Sequence, residues 1–222
     1  MNKRYVIFDM DGTLLDSMQI WKNLGREYLN SKGITQSAKS FLEEIESLTL
    51  SESAALLAER FPACGTAEAA MAEMNQRMEE HYRKDIPLKK GMPEMLESFR
   101  RSGVRMCVAS ATGEHLMREC LERLGVLNYF EFLLSCETLK TNKREAGIYL
   151  EAVRRFGTSV AETAVYEDAL YAIETAKNAG FYVVAVYDSE SEQCWKKICN
   201  LADEILDGRE KNNENCIIDC RE

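Results

Sequence analysis

Asp9 and Asp11 stand two residues apart where the apolar run Tyr5-Val6-Ile7-Phe8 ends, and Gly12 follows them. Residues at i and i+2 of an extended strand share a face, so the two carboxylates would point the same way. Side by side they repel unless a cation sits between them or one keeps its proton. A strand that ends like this suits catalysis better than packing. The competing readings are a turn former or a helix N-cap, the roles expected of Asp16 and Ser17. A calcium loop fits less well, because further oxygen ligands and a glutamate at the twelfth loop position are missing.

Polar groups recur at comparable places downstream. The strand-like run 104–109 leads into Ser110-Ala111-Thr112-Gly113. Lys143 follows Asn142 ahead of an apolar helical stretch, and the run 163–166 leads into Glu167-Asp168. Singly, the serine would be a cap, the lysine a solvated charge and the acidic pair a helix start. Together they deliver complementary groups in an order that one sheet can gather.

These groups need a scaffold, and its elements are legible. Residues 5–8 read as a buried strand. Helical spacing then occupies 18–32 up to Gly33, 38–60 up to Phe61-Pro62, and 66–83, with no convincing strand before Leu88. Pro87 and Gly91-Met92-Pro93 mark the return to the first domain. From there helix and strand alternate: helix 93–102 with strand 104–109, helix 114–124 with strand 130–134, helix 145–156 with strand 164–166, and helix 169–179 with strand 182–186. Such alternation predicts an α/β fold, a parallel sheet with helices on both faces. Residues 203–206 suit a last short edge strand. The segment 216–220 suits either another edge strand or a loose tail.

FDMDGTLLDS resembles the first motif of the haloacid dehalogenase-like hydrolase superfamily, in its phosphatase branch. The run ending in Ser110, the stretch Asn142-Lys143-Arg144-Glu145-Ala146-Gly147-Ile148-Tyr149-Leu150, and Val165-Tyr166-Glu167-Asp168 match three further motifs in the same order. The resemblance implies a Rossmann-like core built from residues 1–16 and 89–222, with a small α-helical cap inserted as residues 17–88. It also implies a magnesium-dependent phosphatase acting on a small phosphorylated metabolite, a sugar phosphate or nucleotide-related monophosphate. Asp9 would be the nucleophile that becomes phosphorylated, and Asp11 the general acid and then base. Lys143 would stabilise charge electrostatically. Thr13, Ser110, Ala111, Thr112 and Lys143 would bind the phosphoryl group. Mg²⁺ would be held by Asp9 and Asp168 through their side chains and by Asp11 through its carbonyl, with Glu167 acting through a bound water or on its neighbours. Met18, Trp21 and Tyr28 are candidates to line the substrate pocket or simply to pack the cap helices.

The match departs from the family pattern in places. Arg144, Ala146 and Gly147 replace the prolines and aspartate common after the lysine, and Ala172 replaces a frequent glycine. A β-phosphoglucomutase-type phosphosugar mutase shares the motifs, but it carries a histidine at the position of Trp21 and cap cations without clear counterparts near 46–50. A dehalogenase fits less, since it would lack the acid aspartate and metal cluster. A non-catalytic metabolite-binding relative is the reading from another class.

The formal net charge is −9 over 222 residues, and no basic stripe suits nucleic acid. No apolar run approaches membrane-span length, and the chain starts directly before the motif strand, so a cytoplasmic location is expected. The eight cysteines lack any Cys-x-x-Cys spacing, which favours reduced thiols over zinc or disulfides. Monomer and homodimer are left equally open.

Overall fold

In the computed structural model, residues 3–35, 39–46, 48–209 and 216–219 are described. The chain separates into two compact units, one formed by residues 1–18 and 86–222 and the other by residues 19–85. The chain enters its first unit through strand β1 (Tyr5–Phe8) and then forms helices α1 (Met18–Ser31), α2 (Lys39–Glu46), α3 (Leu50–Arg60) and α4 (Ala67–Lys84). On its return it builds α5 (Met92–Arg101), β2 (Arg105–Ser110), α6 (Glu114–Arg123), β3 (Phe130–Ser135), α7 (Cys136–Leu139), α8 (Gly147–Phe156) and β4 (Thr163–Glu167). Helix α9 (Leu170–Asn178), β5 (Tyr182–Val186), α10 (Trp195–Leu201), β6 (Glu204–Asp207) and β7 (Cys216–Asp219) complete it.

The strands form one sheet in the order β3-β2-β1-β4-β5-β6-β7, parallel except for β7, which runs antiparallel to β6. The α/β class is as expected. Strand 204–207 is covered rather than an edge, because β7 pairs outside it, and α7 and α10 were not anticipated. β1 is central, and successive strands leave it in opposite directions. That reversal opens a crevice at the carboxyl ends of β1 and β4, where open α/β sheets bind ligands.

β1 is apolar throughout because both of its faces are covered. Ile7 packs with Cys107, Ala109, Val165, Val183 and Ala185 on one face. Phe8, pointing the other way, meets Tyr166 at 4.7 Å, Phe130 at 6.2 Å and Phe99 at 6.3 Å between ring centroids. The strand is therefore clamped immediately before Asp9.

In the helical unit, Leu24, Tyr28 and Leu29 of α1 are buried, and the Tyr28 hydroxyl donates to the Cys64 carbonyl at 3.1 Å. Tyr28, one of the candidate pocket residues, is thus committed to packing, whereas Trp21 and Met18 are half-buried. The single helix expected over 38–60 is two. The first ends at Glu46, and Thr49 caps the second: its hydroxyl accepts from the Glu52 amide, and the Glu52 carboxylate accepts from the Thr49 amide. This capping box satisfies two helix-start donors, and that local bonding outweighed continuous apolar spacing.

Cysteines 64, 107, 120, 136, 194 and 199 are free thiols, the first four of them buried. Among the described residues no helix is long and apolar enough to cross a membrane. Ile7 is fully buried at the sheet centre. Ile7→Ala should cost about 2–5 kcal/mol, read as a lower urea midpoint with an unchanged slope.

Candidate active site

Asp9 continues the β1–β4 ladder by one bond, its amide donating to the Tyr166 carbonyl at 2.9 Å. This places Asp9 beside Glu167 and Asp168 at the neighbouring strand end. Carboxylate oxygens of Asp9, Glu167 and Asp168 all lie within 4.8 Å of one another, and all three residues are buried. Lys143 comes from the connection between α7 and α8. Its ammonium donates to Oδ1 of Asp9 and, at 2.6 Å, to Oε1 of Glu167. The fold thus gathers residues far apart in sequence, Lys143 and Asp9 by 134 positions and Thr13 and Asp168 by 155.

Glu167 is fully committed within the protein. Oε1 also accepts from the Tyr149 hydroxyl at 3.1 Å, while Oε2 accepts the amides of Asp168 and Ala169 at 3.1 and 3.2 Å. Asp168 Oδ1 accepts from the Thr13 hydroxyl at 3.1 Å. The Oδ2 atoms of Asp9 and Asp168 receive no hydrogen bond from the described residues. They are the oxygens open to a cation. Three buried carboxylates against one ammonium, with only hard oxygen donors, is a set that fits a divalent ion.

The electrostatics follow from this crowding. Burial pushes the Asp9 carboxyl up to about 7, Lys143 opposes the rise, and Glu167 and Asp11 add to it. Burial, then Glu167 and Asp9, hold Asp168 well above the usual carboxylate range. Burial works against the Lys143 ammonium, but Asp9 and Glu167 outweigh it and hold its pKa well above the usual lysine value.

Asp11 lies apart from the triad. Its Oδ1 accepts from the Ser17 hydroxyl at 2.7 Å and its Oδ2 from the Thr112 hydroxyl at 2.8 Å. Ser17, read from sequence as a turn former or cap, stands directly before α1, and its hydroxyl orients this carboxylate. Ser110 is buried at the end of β2, and its hydroxyl accepts the Thr112 amide at 3.1 Å. Ala111 lies between them on the same loop. The Thr13 hydroxyl, expected to face a phosphate, serves Asp168.

Gly12 permits this closeness. Its φ of 79° is in the left-handed region, and a Cβ there would meet Asp168 Oδ2 at 2.3 Å. The turn closes through Leu15, whose amide donates to the Met10 carbonyl at 2.8 Å.

Four supporting residues were not identified from sequence. Tyr149 lay inside a quoted motif without a role. Lys89 donates at 2.7 Å to both the Tyr187 carbonyl and Asp188 Oδ2, and the Ser191 hydroxyl donates to the Asp168 carbonyl at 2.8 Å. The Lys89 and Asp188 charges act on Asp168 with opposite signs. Nothing in local spacing announces them, since Lys89 and Asp188 are 99 positions apart.

The model of the family described as "Haloacid dehalogenase-like hydrolase" matches residues 6–186. The chain is 25% identical over 179 residues to a phosphorylated carbohydrates phosphatase of Thermotoga maritima, covering 79% of this chain and 81% of that one. It is 25% identical over 187 residues to hexitol phosphatase B of Escherichia coli, covering 84% of each. A Thermotoga maritima structure provisionally described as a β-phosphoglucomutase shares the fold, with a TM-score of 0.75 at 24% identity over 84% of this chain and 86% of that one.

Two outcomes are expected from this geometry. Raised carboxyls bind protons that the unfolded chain releases near pH 4. The stability that Asp9 contributes is full below its ordinary value of 3.8 and lost as pH rises through about 7. A divalent cation should therefore raise the melting temperature more at about pH 8 than at about pH 5; equal shifts would contradict the arrangement. Gly12→Ala should destabilise by about 2–4 kcal/mol and shrink the cation-induced shift, both read from the same melts.

Proposed function

This chain belongs to the haloacid dehalogenase-like hydrolase family, and on that footing we propose that it is a magnesium-dependent phosphomonoesterase of small phosphorylated metabolites, sugar phosphates foremost. The reading rests above all on one observation: Asp9 and Asp168, each with an open carboxylate oxygen, lie beside Lys143 and Glu167 where the sheet reverses. The named phosphatases of carbohydrates and hexitols among its relatives support the choice of substrate class.

Phosphate monoesters resist hydrolysis because their anionic charge repels nucleophiles, so positioning and charge neutralisation dominate catalysis. Asp9 attacks phosphorus as the ester P–O bond breaks, giving a phospho-aspartyl group and a leaving alkoxide oxygen. Asp11, steadied by Ser17 and Thr112, gives that oxygen its proton. Asp11 then takes a proton from water as the water attacks phosphorus, releasing inorganic phosphate and restoring Asp9. Lys143 fixes the rotamer of Asp9 and places positive charge against the phosphoryl oxygens, while Glu167 and Tyr149 hold the lysine in place. Ser110 and the Ala111 amide form the phosphoryl cradle, and the Thr112 amide, bonded to Ser110 Oγ, holds that hydroxyl in place. Thr13 acts through Asp168.

Asp9, Asp168 and the Asp11 carbonyl would hold Mg²⁺, which when bound supplies positive charge to offset the carboxylates and the phosphoryl oxygens. Glu167, occupied by four donors, shapes that site from behind. Residues 17–88 form the cap in this reading, and Trp21 stands where the mutase pattern has histidine.

The test is phosphate release from a panel of phosphomonoesters with and without magnesium. Activity should need the metal and vanish with chelator, and Asp9→Asn should lower turnover by about three orders of magnitude or more while remaining folded. No release from any ester by folded protein would end the proposal. Isomerisation of an anomeric hexose phosphate without free phosphate would point to a mutase.

A further inference from the structure

The stretch after Lys143 is where this chain leaves its family pattern, and the structure gives the departing residue a partner. Arg144 occupies a place where proline is common. Its guanidinium lies over the ring of Tyr171, 4.7 Å from the centroid. Tyr171 stands three residues after Asp168, on the first turn of α9, and is 40% exposed. Both residues therefore sit at the carboxyl edge of the sheet, each within three positions of a group in the buried cluster.

Arg144 is also bonded unlike most of its counterparts. In this acidic chain, Arg105 pairs with Glu131, Arg154 and Arg155 with Glu151, and Arg209 with Asp207. Arg144 is exposed, and no carboxylate among the described residues pairs with it. Its backbone is fixed by the adjacent turn, where its amide donates to Asn142 Oδ1 at 2.8 Å. Stacking occupies the flat face of a guanidinium and leaves the N–H edges free, in a fork that matches a carboxylate or phosphate.

The Tyr171 hydroxyl lies in the field of the buried cluster. Burial raises its pKa, and the charges of Glu167, Asp9 and Asp168 add to the rise while Lys143 opposes it. Lys143, next to Arg144, and Asp168, three residues before Tyr171, both belong to the buried cluster, and this placement sets the stacked pair beside the reacting groups, where a part of the substrate extending from the phosphoryl group can meet it. A second negative group arriving there would meet three carboxylates and a chain of net charge −9. A rim cation offsets that repulsion and favours such substrates over neutral ones.

We propose that Arg144, held by its stack on Tyr171, is a specificity residue that receives a second anionic group of the substrate, a carboxylate or a phosphate other than the one cleaved. This rests on the phosphomonoesterase reading and narrows its substrate class. Tyr171 is the positioning partner.

Matched ester pairs that differ only in that second charge provide the test: phosphoglycolate against hydroxyethyl phosphate, and a hexose bisphosphate against the corresponding monophosphate. In the wild type the charged member of at least one pair should have the higher kcat/KM, and which pair responds distinguishes carboxylate from phosphate. Arg144→Gln should lower that preference about ten- to a hundredfold, mainly through KM. Arg144→Lys should recover part of it, and Tyr171→Leu should weaken it less than Arg144→Gln does. A preference that is absent from the wild type in both pairs, or unchanged in Arg144→Gln, overturns the assignment of Arg144 and leaves the hydrolase reading standing. If the wild type cleaves none of the esters, both readings fall.

Discussion

An excess of buried negative charge at one strand end is the constraint around which the rest is arranged. Asp9, Glu167 and Asp168 converge with one ammonium among them. Taking such groups out of water is costly, and their mutual attraction recovers the cost only with good geometry and full hydrogen bonding. The surroundings provide both. Glu167 is bonded on each oxygen, Lys143 bridges two carboxylates, and Tyr149 closes the network from α8. What is left over, an uncompensated negative field with two open oxygens, is what a cation and a phosphoryl group would find. A site of this kind is poised by its own electrostatic imbalance.

Holding that imbalance in place falls to ordinary packing. The aromatic cluster of Phe8, Phe99, Phe130 and Tyr166 fixes one face of β1, and the aliphatic core around Ile7 fixes the other. The backbone at Asp9 has little freedom as a result. Behind Asp168, the Lys89–Asp188 pair and the Ser191 hydroxyl brace the opposite flank. Substitutions there would act on the same carboxylate from a distance.

Much of this was legible in the sequence, and the reasons for success and failure are physical. The alternation of apolar runs revealed the strands because burial on both faces leaves no place for polar residues. The paired aspartates before Gly12 stood out because carboxylates at a strand end are poor packing material. The break between α2 and α3 was missed because apolar spacing continues across it, although the Thr49–Glu52 capping box was there to be read. Lys143 stood out only in conjunction with the other strand-end groups and the family resemblance, since a lone lysine carries no local mark of burial. Lys89, Asp188 and Ser191 left no sign at all, because their roles come from pairing across the fold. The fate of 216–219 depended on whether β6 offered a free edge, a tertiary fact.

The buried thiols have a chemical consequence of their own. Thiolate is the form that alkylating and oxidising reagents attack, and apolar burial suppresses it. Burial holds the Cys107 thiol well above its ordinary value, and Cys120 is pushed up to about 11. Of the cysteines at 64, 107, 120, 136, 194 and 199, half-buried Cys194 and Cys199 are therefore the first that an electrophile would modify. The buried thiols stay inert until the fold opens, so their labelling rate becomes a clock for unfolding.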